Sequence, residues 1–471
     1  MNLSKKIALN TIVQIASKII STLLGLFAVA IMARHLGQEG FGEYTTIITF
    51  ISFFAVVADL GLTLVTVQMI SVENADQDKI LSNLFTLRLV SAVFFLGLAP
   101  LFIWLFPYPS VVKTGVVLAT LSFLFPALNQ VLVGLFQKNL SMSYVSLAEI
   151  AGRLILAVGV LMSARLGFGL YGMLYALVIS SAVNFLILFV FSKKYAKISI
   201  NYDWQFWREI VKKTWPIGLT IFLNLIYLRA DTVILSLTKS QSQVGIYGAA
   251  YKVIDVLITL PFIFAGIVLP IMTAGWRANR ENFNQVLQKS FDLMALLALP
   301  LVVGAQFIST RIMTLVAGRE FAISGAVLRV LILAAGIIFI GTVFSHAVIA
   351  IDRQKKIIAA YLFVALTALA GYFIFIPRFS YFGAAWVTVY SELAIACASF
   401  FLVWRSTAFR PRLTVAFRAA IASFFMAALL WLARGINLTL LIGLAVLLYF
   451  SCLIWFKAIT KEQLLEIFSK G

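Results

Sequence analysis

The stretch "ARHLGQEGFGEY", residues 33–44, places three glycines within six residues between two long apolar runs. A phosphate-binding loop of the Walker type needs a Gly-Lys-Ser/Thr sequence, but Glu43 follows Gly42 and the chain contains no Gly-Lys dipeptide. With so few residues to leave one apolar run and enter the next, the backbone needs positive φ angles, which glycine adopts at little cost. The stretch therefore predicts a tight external turn between two membrane spans.

The composition of the chain is that of an α-helical membrane protein. Its 471 residues are 62% hydrophobic and 12% charged, with a mean hydropathy of +1.03, well outside the usual range of soluble domains. A membrane span needs about 20 apolar residues, and fourteen such runs lie between residues 12 and 456. The sequence therefore predicts an all-α polytopic protein with about 14 transmembrane helices.

The basic residues are distributed unevenly between the predicted loops. With the N-terminus placed inside, the inner segments hold 22 Lys and Arg and the outer loops hold 8. Because cytoplasmic loops carry an excess of basic residues, both termini are expected in the cytoplasm. The net charge of +19 is then mainly a topology signal, and no nucleic-acid partner is expected.

Cysteine and histidine are too scarce for a metal centre. Cys397 and Cys452 lie inside apolar runs, and His35 and His346 do not form an HExxH pattern. We expect no metal, no cofactor, no catalytic residue and no enzymatic activity.

Two pairs of similar segments indicate an internal repeat. "FGEYTT" at 41–46 matches "VGIYGA" at 244–249, and "YGMLYAL" at 171–177 matches "FGAAWVT" at 382–388, with offsets of 203 and 211 residues. Six spans per repeat bring the second repeat in from the same side, so the axis relating the lobes should follow the membrane normal, with a binding cavity between them. The predicted parts are a six-helix lobe at 1–192, a cytoplasmic basic linker at 193–214, a second six-helix lobe at 215–404, and two additional helices with a cytoplasmic tail at 405–471.

The linker has the pattern of a helix on the membrane surface. Trp204, Trp207 and Val211 fall at helical spacing beside Arg208 and Lys212. We expect a short interfacial helix in which both tryptophans face lipid; a solvated linker is the alternative.

Eleven ionisable residues lie inside the predicted spans, where each costs about 2.5–3.5 kcal/mol to insert and so requires a partner, water or a ligand. Glu149 and Arg153 are four residues apart and Lys252 and Asp255 three apart, so each pair can meet on one helix face. The full set is Lys18, Asp59, Arg88, Glu149, Arg153, Arg229, Asp231, Lys252, Asp255, Arg329 and Glu392.

Four cations have no acidic neighbour at helical spacing, which indicates an anion site. Lys18, Arg88 and Arg329 are three of them, and Arg229 is the fourth because Asp231, two residues away, points in a different direction. Together they should form a cationic patch for a phosphate or pyrophosphate group. Each could instead extend its side chain to the membrane surface.

Asp59, midway along the second span, has no partner on its own helix. It is the first candidate for binding a coupling ion or proton, followed by Asp231 and Asp255. The alternative for Asp59 is an ion pair with a basic residue on another helix.

Two segments carry a resemblance to a known family. "LFAVAIMARHLGQEGFGEYTTIITFISFFAVVADLGL" at 26–62 and "LRADTVILSLTKSQSQVGIYGAAYKVID" at 228–255 resemble polysaccharide exporters of the multidrug/oligosaccharidyl-lipid/polysaccharide (MOP) superfamily, the Wzx-type O-antigen flippases. The resemblance implies a two-lobed, MATE-like transporter of the bacterial inner membrane that flips an undecaprenyl-pyrophosphate-linked oligosaccharide by alternating access. It also implies that basic cavity residues hold the pyrophosphate. The candidates for that role are Lys18, Arg88, Arg229, Lys252 and Arg329.

The expected partners are a lipid-linked oligosaccharide and membrane lipids, with a polysaccharide polymerase and a chain-length regulator as further candidates. A multidrug or cation antiporter of the same fold is the nearest alternative, although that function favours an acidic cavity. A membrane polysaccharide polymerase fits less well, because every outer loop has only about a dozen residues and leaves no room for an active-site loop.

Overall fold

The computed structural model describes residues 3–59, Leu62, Met69 and 76–458. This part of the chain contains twelve α-helices and two 3₁₀ helices. The α-helices are α1 (Leu3–Asp59), α2 (Gln77–Phe102), α3 (Ser110–Lys138), α4 (Met142–Leu166), α5 (Gly169–Ser192), α6 (Trp204–Thr238), α7 (Gln241–Ala278), α8 (Arg280–Ala317), α9 (Ser324–Ala350), α10 (Gln354–Thr407), α11 (Thr414–Leu432) and α12 (Leu438–Trp455). The 3₁₀ helices are Ile103–Leu105 and Arg319–Ile323.

Two of these helices are too long to be single membrane crossings. A straight helix of more than 50 residues would extend about 80 Å, far beyond a hydrocarbon core of about 30 Å. The 57-residue α1 is broken at Gly37, where φ is 67°, and the 54-residue α10 is broken at Ser380, where φ is 53°. The Tyr390 hydroxyl donates to Thr367 Oγ1 at 3.0 Å, so the two segments of α10 pack side by side.

The helices that the structure describes expose apolar surface, as membrane-spanning helices do. Eleven stretches in this part of the chain are long and apolar enough to span a membrane, with mean hydropathy between 1.9 and 2.5. In ten of them only 22–44% of the apolar window is buried inside the protein, so lipid must cover the remainder. The prediction of an all-α multi-pass membrane protein is confirmed, whereas the count of fourteen spans stays a prediction.

The chain divides into two compact units, Met1–Gly248 and Ala249–Gly471. In the first unit α1 packs against α2, α3, α4 and α6, and α5 packs against α3 and α4. In the second unit α9 is the central helix between α8 and α10, and the stretch Arg319–Ala350 has 67% of its apolar window buried. Helices α11 and α12 pack on each other and on α8. The predicted lobe and linker boundaries stay predictions.

The glycine-rich stretch brings α1 and α7 into backbone contact. The chain turns at Gly37, and helix resumes before Gly42. A Cβ placed on Gly42 would lie 1.7 Å from the carbonyl oxygen of Gln241, and one on Gly245 would lie 1.9 Å from that of Gln38. The first turn of α7 therefore touches α1 at a distance that only glycine permits.

Hydrogen bonds close both sides of this glycine contact. Thr46 Oγ1 donates to Gln241 Oε1 at 2.7 Å, and Ser242 Oγ donates to Gln38 Oε1 at 2.8 Å. The segments at 41–46 and 244–249, paired by their sequence similarity, thus pack against each other. The predicted need for positive φ is correct at Gly37, while the next two glycines of the stretch lie in regular helix.

The predicted interfacial helix is instead the beginning of α6. Asp203 caps this helix by accepting from the Phe206 N–H at 3.1 Å. Trp204 is 65% exposed, but Trp207 is only 8% exposed because it packs into a cluster with Leu81 and other residues of α2. The prediction that Trp207 faces lipid is wrong, because its side chain packs on the protein; for Trp204 it stays a prediction.

The chain that precedes α6 is tied along α2. Side-chain acceptors at every fourth residue of α2 accept from backbone N–H groups at every second residue of this extended segment. The two spacings match because about one turn of a helix advances as far as two residues of extended chain. The bonds run from Lys197 N to Asp78 Oδ1 (3.0 Å), from Ser199 N to Ser82 Oγ (3.1 Å) and from Asn201 N to Thr86 Oγ1 (3.0 Å). An ion pair between Lys79 and Asp203 (3.5 Å) continues the attachment.

We expect Gly42→Ala to destabilise the protein strongly, because its methyl carbon would overlap the Gln241 carbonyl oxygen and force the two helices apart. Gly97→Ala is the matched control: a Cβ there meets nothing within 4 Å, so the change should be neutral or stabilise α2 by up to about 1 kcal/mol. The measurement is the melting temperature and membrane abundance of the two variants. Equal melting temperatures would contradict the close contact.

The attachment of the α6 N-terminus should depend on pH. The Phe206 N–H and, to a smaller extent, Lys79 hold the pKa of Asp203 below its usual value. A lowered pKa in the folded state means that the carboxylate stabilises this end at pH values above about 4, and that the effect is lost as pH falls through the folded pKa. Amide exchange of residues 204–207, corrected for its intrinsic pH dependence, should be faster in Asp203→Ala at neutral pH, and the difference should vanish in acid. A difference independent of pH would argue against the carboxylate.

Candidate functional site

An ion pair between Lys18 and Glu149 joins α1 to α4. Lys18 Nζ lies 3.1 Å from Glu149 Oε1, and the two side chains are 46% and 27% exposed. Ser17 precedes Lys18 by one residue and Ser146 precedes Glu149 by three, and the Ser17 hydroxyl donates to Ser146 Oγ at 2.8 Å and holds the helices close. The predicted pairing of Glu149 with Arg153 is therefore wrong. Lys18 has no acidic neighbour at helical spacing on α1, and it pairs with Glu149 because α1 packs against α4.

The change of partner leaves Arg153 as an exposed cation. Its guanidinium rests against Gly25 of α1, where a Cβ would lie 3.6 Å from Arg153 Nη1. Across the described part of the chain, no acidic group lies within ion-pairing distance of it. Arg153 is eleven residues into the 25-residue α4, which places it about 16 Å along the helix and near its midpoint.

We call Lys18, Glu149 and Arg153 the α1/α4 charge seam. It presents two cations and one carboxylate along the contact of two membrane-spanning helices. An exposed guanidinium at the mid-height of an apolar helix is costly in hydrocarbon, so we expect the seam to line a surface that water reaches. A guanidinium offers paired N–H donors that match phosphate oxygens, so this surface favours an anionic ligand. The sequence did not single out Arg153 as a binding residue, because Glu149 stands at helical spacing from it. The one available indication was that Lys18 and Arg153 together outnumber the single acid Glu149.

Arg88 is buried among oxygen acceptors. Its guanidinium pairs with the Asp59 carboxylate, and the two side chains are 4% and 16% exposed. Arg88 also donates to the Asp59 carbonyl oxygen at 2.8 Å and to the Ala127 carbonyl oxygen at 3.0 Å, which ties α2 to α1 and α3. Arg88 has no acidic neighbour at helical spacing, as predicted, and takes its acidic partner from another helix. The alternative prediction for Asp59, an ion pair with another helix, is confirmed.

Asp231 is fully enclosed by hydrogen-bond donors. Its carboxylate accepts from the Tyr247 hydroxyl at 2.5 Å and from the backbone N–H and hydroxyl of Thr232. Arg229 interacts with it electrostatically from the same helix. This differs from the expectation, based on their spacing of two residues, that the two charges do not affect each other. Whether Asp231 binds a coupling ion stays a prediction.

In the second unit, Lys252 and Asp255 form the predicted pair on α7, with 3.8 Å between Nζ and Oδ2. Arg329 is exposed and donates to Thr310 Oγ1 at 3.2 Å, and no carboxylate is paired with it within the described ranges. It lies five residues into α9, about 8 Å from the helix start, closer to a membrane surface than Arg153.

Glu392, one of the eleven ionisable residues of the predicted spans, is a buried carboxylate. It is 8% exposed and lies twelve residues beyond the break in α10, so it is deep in the helix. It interacts electrostatically with Tyr361. Among the residues that the structure describes, none forms an ion pair or hydrogen bond with its carboxylate. The sequence already indicated that Glu392 has no cationic partner on its own helix, because no basic residue stands three or four positions away from it.

The sequence of this chain matches a known protein family. Residues 7–276, more than half of the chain, match the family of polysaccharide biosynthesis proteins. The chain belongs to this family. A similar curated protein is the succinoglycan biosynthesis transport protein ExoT of Rhizobium meliloti (strain 1021), 23% identical over 325 residues. The match covers 67% of this chain and 63% of ExoT, so it spans less than two thirds of that relative.

Solved structures share the fold of the chain. The lipid II flippase MurJ, in an inward closed conformation, matches with a TM-score of 0.78 and 17% identity over 96% of this chain and 99% of that one. An inward-facing MATE family multidrug resistance transporter of the MOP superfamily has a TM-score of 0.70 and 16% identity over 84% and 98%. A MOP superfamily transporter from Pyrococcus furiosus has a TM-score of 0.60 and 17% identity over 86% and 96%.

These comparisons confirm the predicted family: the chain is a multi-pass membrane protein with the MOP transporter fold that belongs to the polysaccharide biosynthesis family. They do not test the predicted binding residues. Whether the seam or the buried pair of Arg88 and Asp59 contributes to binding must be decided by experiment.

We expect Arg88→Gln and Lys18→Gln to differ in their effects on stability. Removing Arg88 leaves a buried carboxylate without its cation, which should cost about 3–5 kcal/mol, whereas the half-exposed pair of Lys18 should cost about 1 kcal/mol or less. The measurement is the melting temperature of each purified variant. Equal losses would contradict the assignment of Arg88 as structural and Lys18 as accessible.

Proposed function

We propose that this protein moves an undecaprenyl-pyrophosphate-linked oligosaccharide across the bacterial inner membrane, for surface polysaccharide biosynthesis. The observation that carries the proposal is the α1/α4 charge seam, where the exposed Arg153 lies at the mid-height of a membrane-spanning helix with no acidic partner in the described part of the chain. The family match and the MOP fold supply the context, since related proteins are named for transport and flipping.

The seam suits the pyrophosphate end of such a lipid. A pyrophosphate carries several negative oxygens, and Arg153 can meet two of them with paired N–H donors while Lys18 adds a mobile point charge. Glu149 holds Lys18 at 3.1 Å and keeps it from leaving the site when no ligand is bound. The carboxylate also reduces the net charge, which limits how tightly an anion is retained and favours its release.

The remaining parts of the proposal concern the architecture. They are fourteen spans with cytoplasmic termini, two six-helix lobes that alternate access to a cavity, and Arg229, Lys252 and Arg329 as further basic residues for the cargo. The basic inner segments, the repeated sequences and the breaks in α1 and α10 support them. A polysaccharide polymerase and a chain-length regulator are the proteins that would receive the exported unit.

A cation antiporter is the second candidate, because Asp231 and Glu392 are buried carboxylates of the kind that bind protons or metal cations. The two functions differ in the charge of the cargo. The seam exposes more cations than anions and would repel a cationic drug, so we place the carboxylates in coupling and the seam in cargo binding.

Deletion of the gene in its host should abolish a surface polysaccharide and cause its lipid-linked oligosaccharide to accumulate on the cytoplasmic face. Restoring the gene should reverse both effects, and sensitivity to cationic drugs should not change. Normal surface polysaccharide with increased drug sensitivity would instead assign the protein to the antiporters.

Point variants in the same assay test the seam itself. Losing one charge-assisted contact to phosphate, worth about 1.5–3 kcal/mol, should make Arg153→Gln at least about tenfold weaker in export. Arg153→Lys should retain part of the activity, since it keeps the charge and loses the paired donors. Arg165→Gln, which removes an exposed arginine from the last turn of the same helix, is the matched control and should export normally. Normal export by Arg153→Gln at normal abundance would remove the seam from the cargo site.

A further inference from the structure

The two segments of α10 enclose an apolar groove with a volume of about 790 Å³, within the range of ligand sites, about 300–1,000 Å³. Its walls are aromatic, and four of these side chains are 42–58% exposed even though the pocket is concave. The residues that shape it most are Thr367, Phe375, Phe379, Trp386 and Tyr390. Because α10 is long and apolar enough to cross a membrane, we expect the open side of the apolar groove to face lipid.

Glycines allow the groove to be deep. A Cβ on Gly383 would lie 2.4 Å from the Phe375 carbonyl oxygen, so the two segments touch backbone to backbone at this point. A Cβ on Gly371 would lie 3.2 Å from the Val387 side chain. The glycines form the floor, and the aromatic rings rise beside it as walls.

A cation, Arg378, stands next in the chain to the lining residue Phe379 at one end of the groove. Arg378 is exposed, stands two residues before the break at Ser380, and shares a helix face with Phe375 three residues earlier. The chain changes direction at this break between two apolar segments, which places Arg378 at a membrane surface. Within the ranges that the structure describes, Arg378 forms no ion pair or side-chain hydrogen bond.

The other end of the groove is closed by the hydrogen bond between Tyr390 and Thr367, 3.0 Å long. Thr367 and Arg378 are eleven residues apart, or about 16 Å along the helix, which is half of a hydrocarbon core of about 30 Å. The groove thus has the length of one lipid tail in one leaflet, with a guanidinium where the headgroup phosphate would lie.

We propose that this groove, the Arg378 groove, is a binding site for an anionic phospholipid whose phosphate contacts Arg378 and whose acyl chain lies along the aromatic walls. The complementarity of an unpaired cation above an apolar channel favours a lipid with net negative charge over a zwitterionic one, whose own ammonium group would be brought towards the guanidinium. The site is separate from the α1/α4 charge seam and does not rest on the transport function proposed above.

The test uses Trp386 as an internal reporter. The full chain is placed in phosphatidylcholine nanodiscs, and a phosphatidylglycerol with brominated acyl chains is added in increasing mole fraction. Quenching of Trp386 is taken as the difference between the wild type and Trp386→Phe. We expect saturable quenching, with half-saturation at a mole fraction about fivefold lower than for brominated phosphatidylcholine, as one basic residue near an anionic headgroup provides.

Two variants and their controls complete the test. Arg378→Gln should abolish the preference for the anionic lipid, whereas Arg165→Gln, which removes an exposed arginine from α4, should retain it. Ala370→Leu, which fills the groove, should weaken quenching by both lipids, whereas Leu366→Phe, one turn away on the exposed face, should not. Equal quenching by the two lipids in the wild type, a preference that survives Arg378→Gln, or quenching that never saturates would each overturn the proposal.

Discussion

An ionised side chain cannot stay in hydrocarbon without a partner, water or a ligand, and this constraint organises the charged residues of each unit. Arg88 satisfies it completely, because Asp59 and two backbone carbonyls surround its guanidinium. Lys18 satisfies it in part through Glu149, and the pair keeps considerable exposure. Arg153 is left with neither carboxylate nor burial, and must therefore face water. The exposed fraction of a charged side chain and the number of its partners thus distinguish a charge that holds helices together from one that is available to a ligand.

Backbone geometry provides the second layer of organisation. Single residues with positive φ, Gly37 and Ser380, divide very long helices into two rods without a loop between them. Gly42 and Gly245 then allow α1 and α7 to meet at their backbones, a distance that any side chain would prevent. Glycines in the second unit have a different effect, since they deepen the groove between two segments of one helix. The same residue type therefore serves as turn, contact and floor, and only its surroundings distinguish these roles.

The fold alone does not select the cargo. Solved structures with this fold include a lipid II flippase and multidrug transporters, whose cargoes differ in charge and size. The sign of the accessible charge is the more informative property. A surface on which cations outnumber acids attracts phosphate and repels ammonium compounds, and its guanidinium adds directional donors that an ammonium group lacks. Asp231 and Glu392 are both buried carboxylates, and of the two Asp231 is surrounded by hydrogen-bond donors.

The sequence by itself determined that the chain is an all-α, multi-pass membrane protein of the polysaccharide biosynthesis family, because hydropathy is a local sum and the motifs at 26–62 and 228–255 are contiguous. It also determined the pair of Lys252 and Asp255, whose geometry lies within one helical turn. It failed wherever a partner came from another helix. Glu149 has two cations within reach, one of them on α1, and the approach of α1 and α4 decided between them in favour of Lys18. Only the tertiary structure could make that choice, because helical spacing describes a single helix, whereas an ion pair in a membrane forms with whichever opposite charge packing brings nearest.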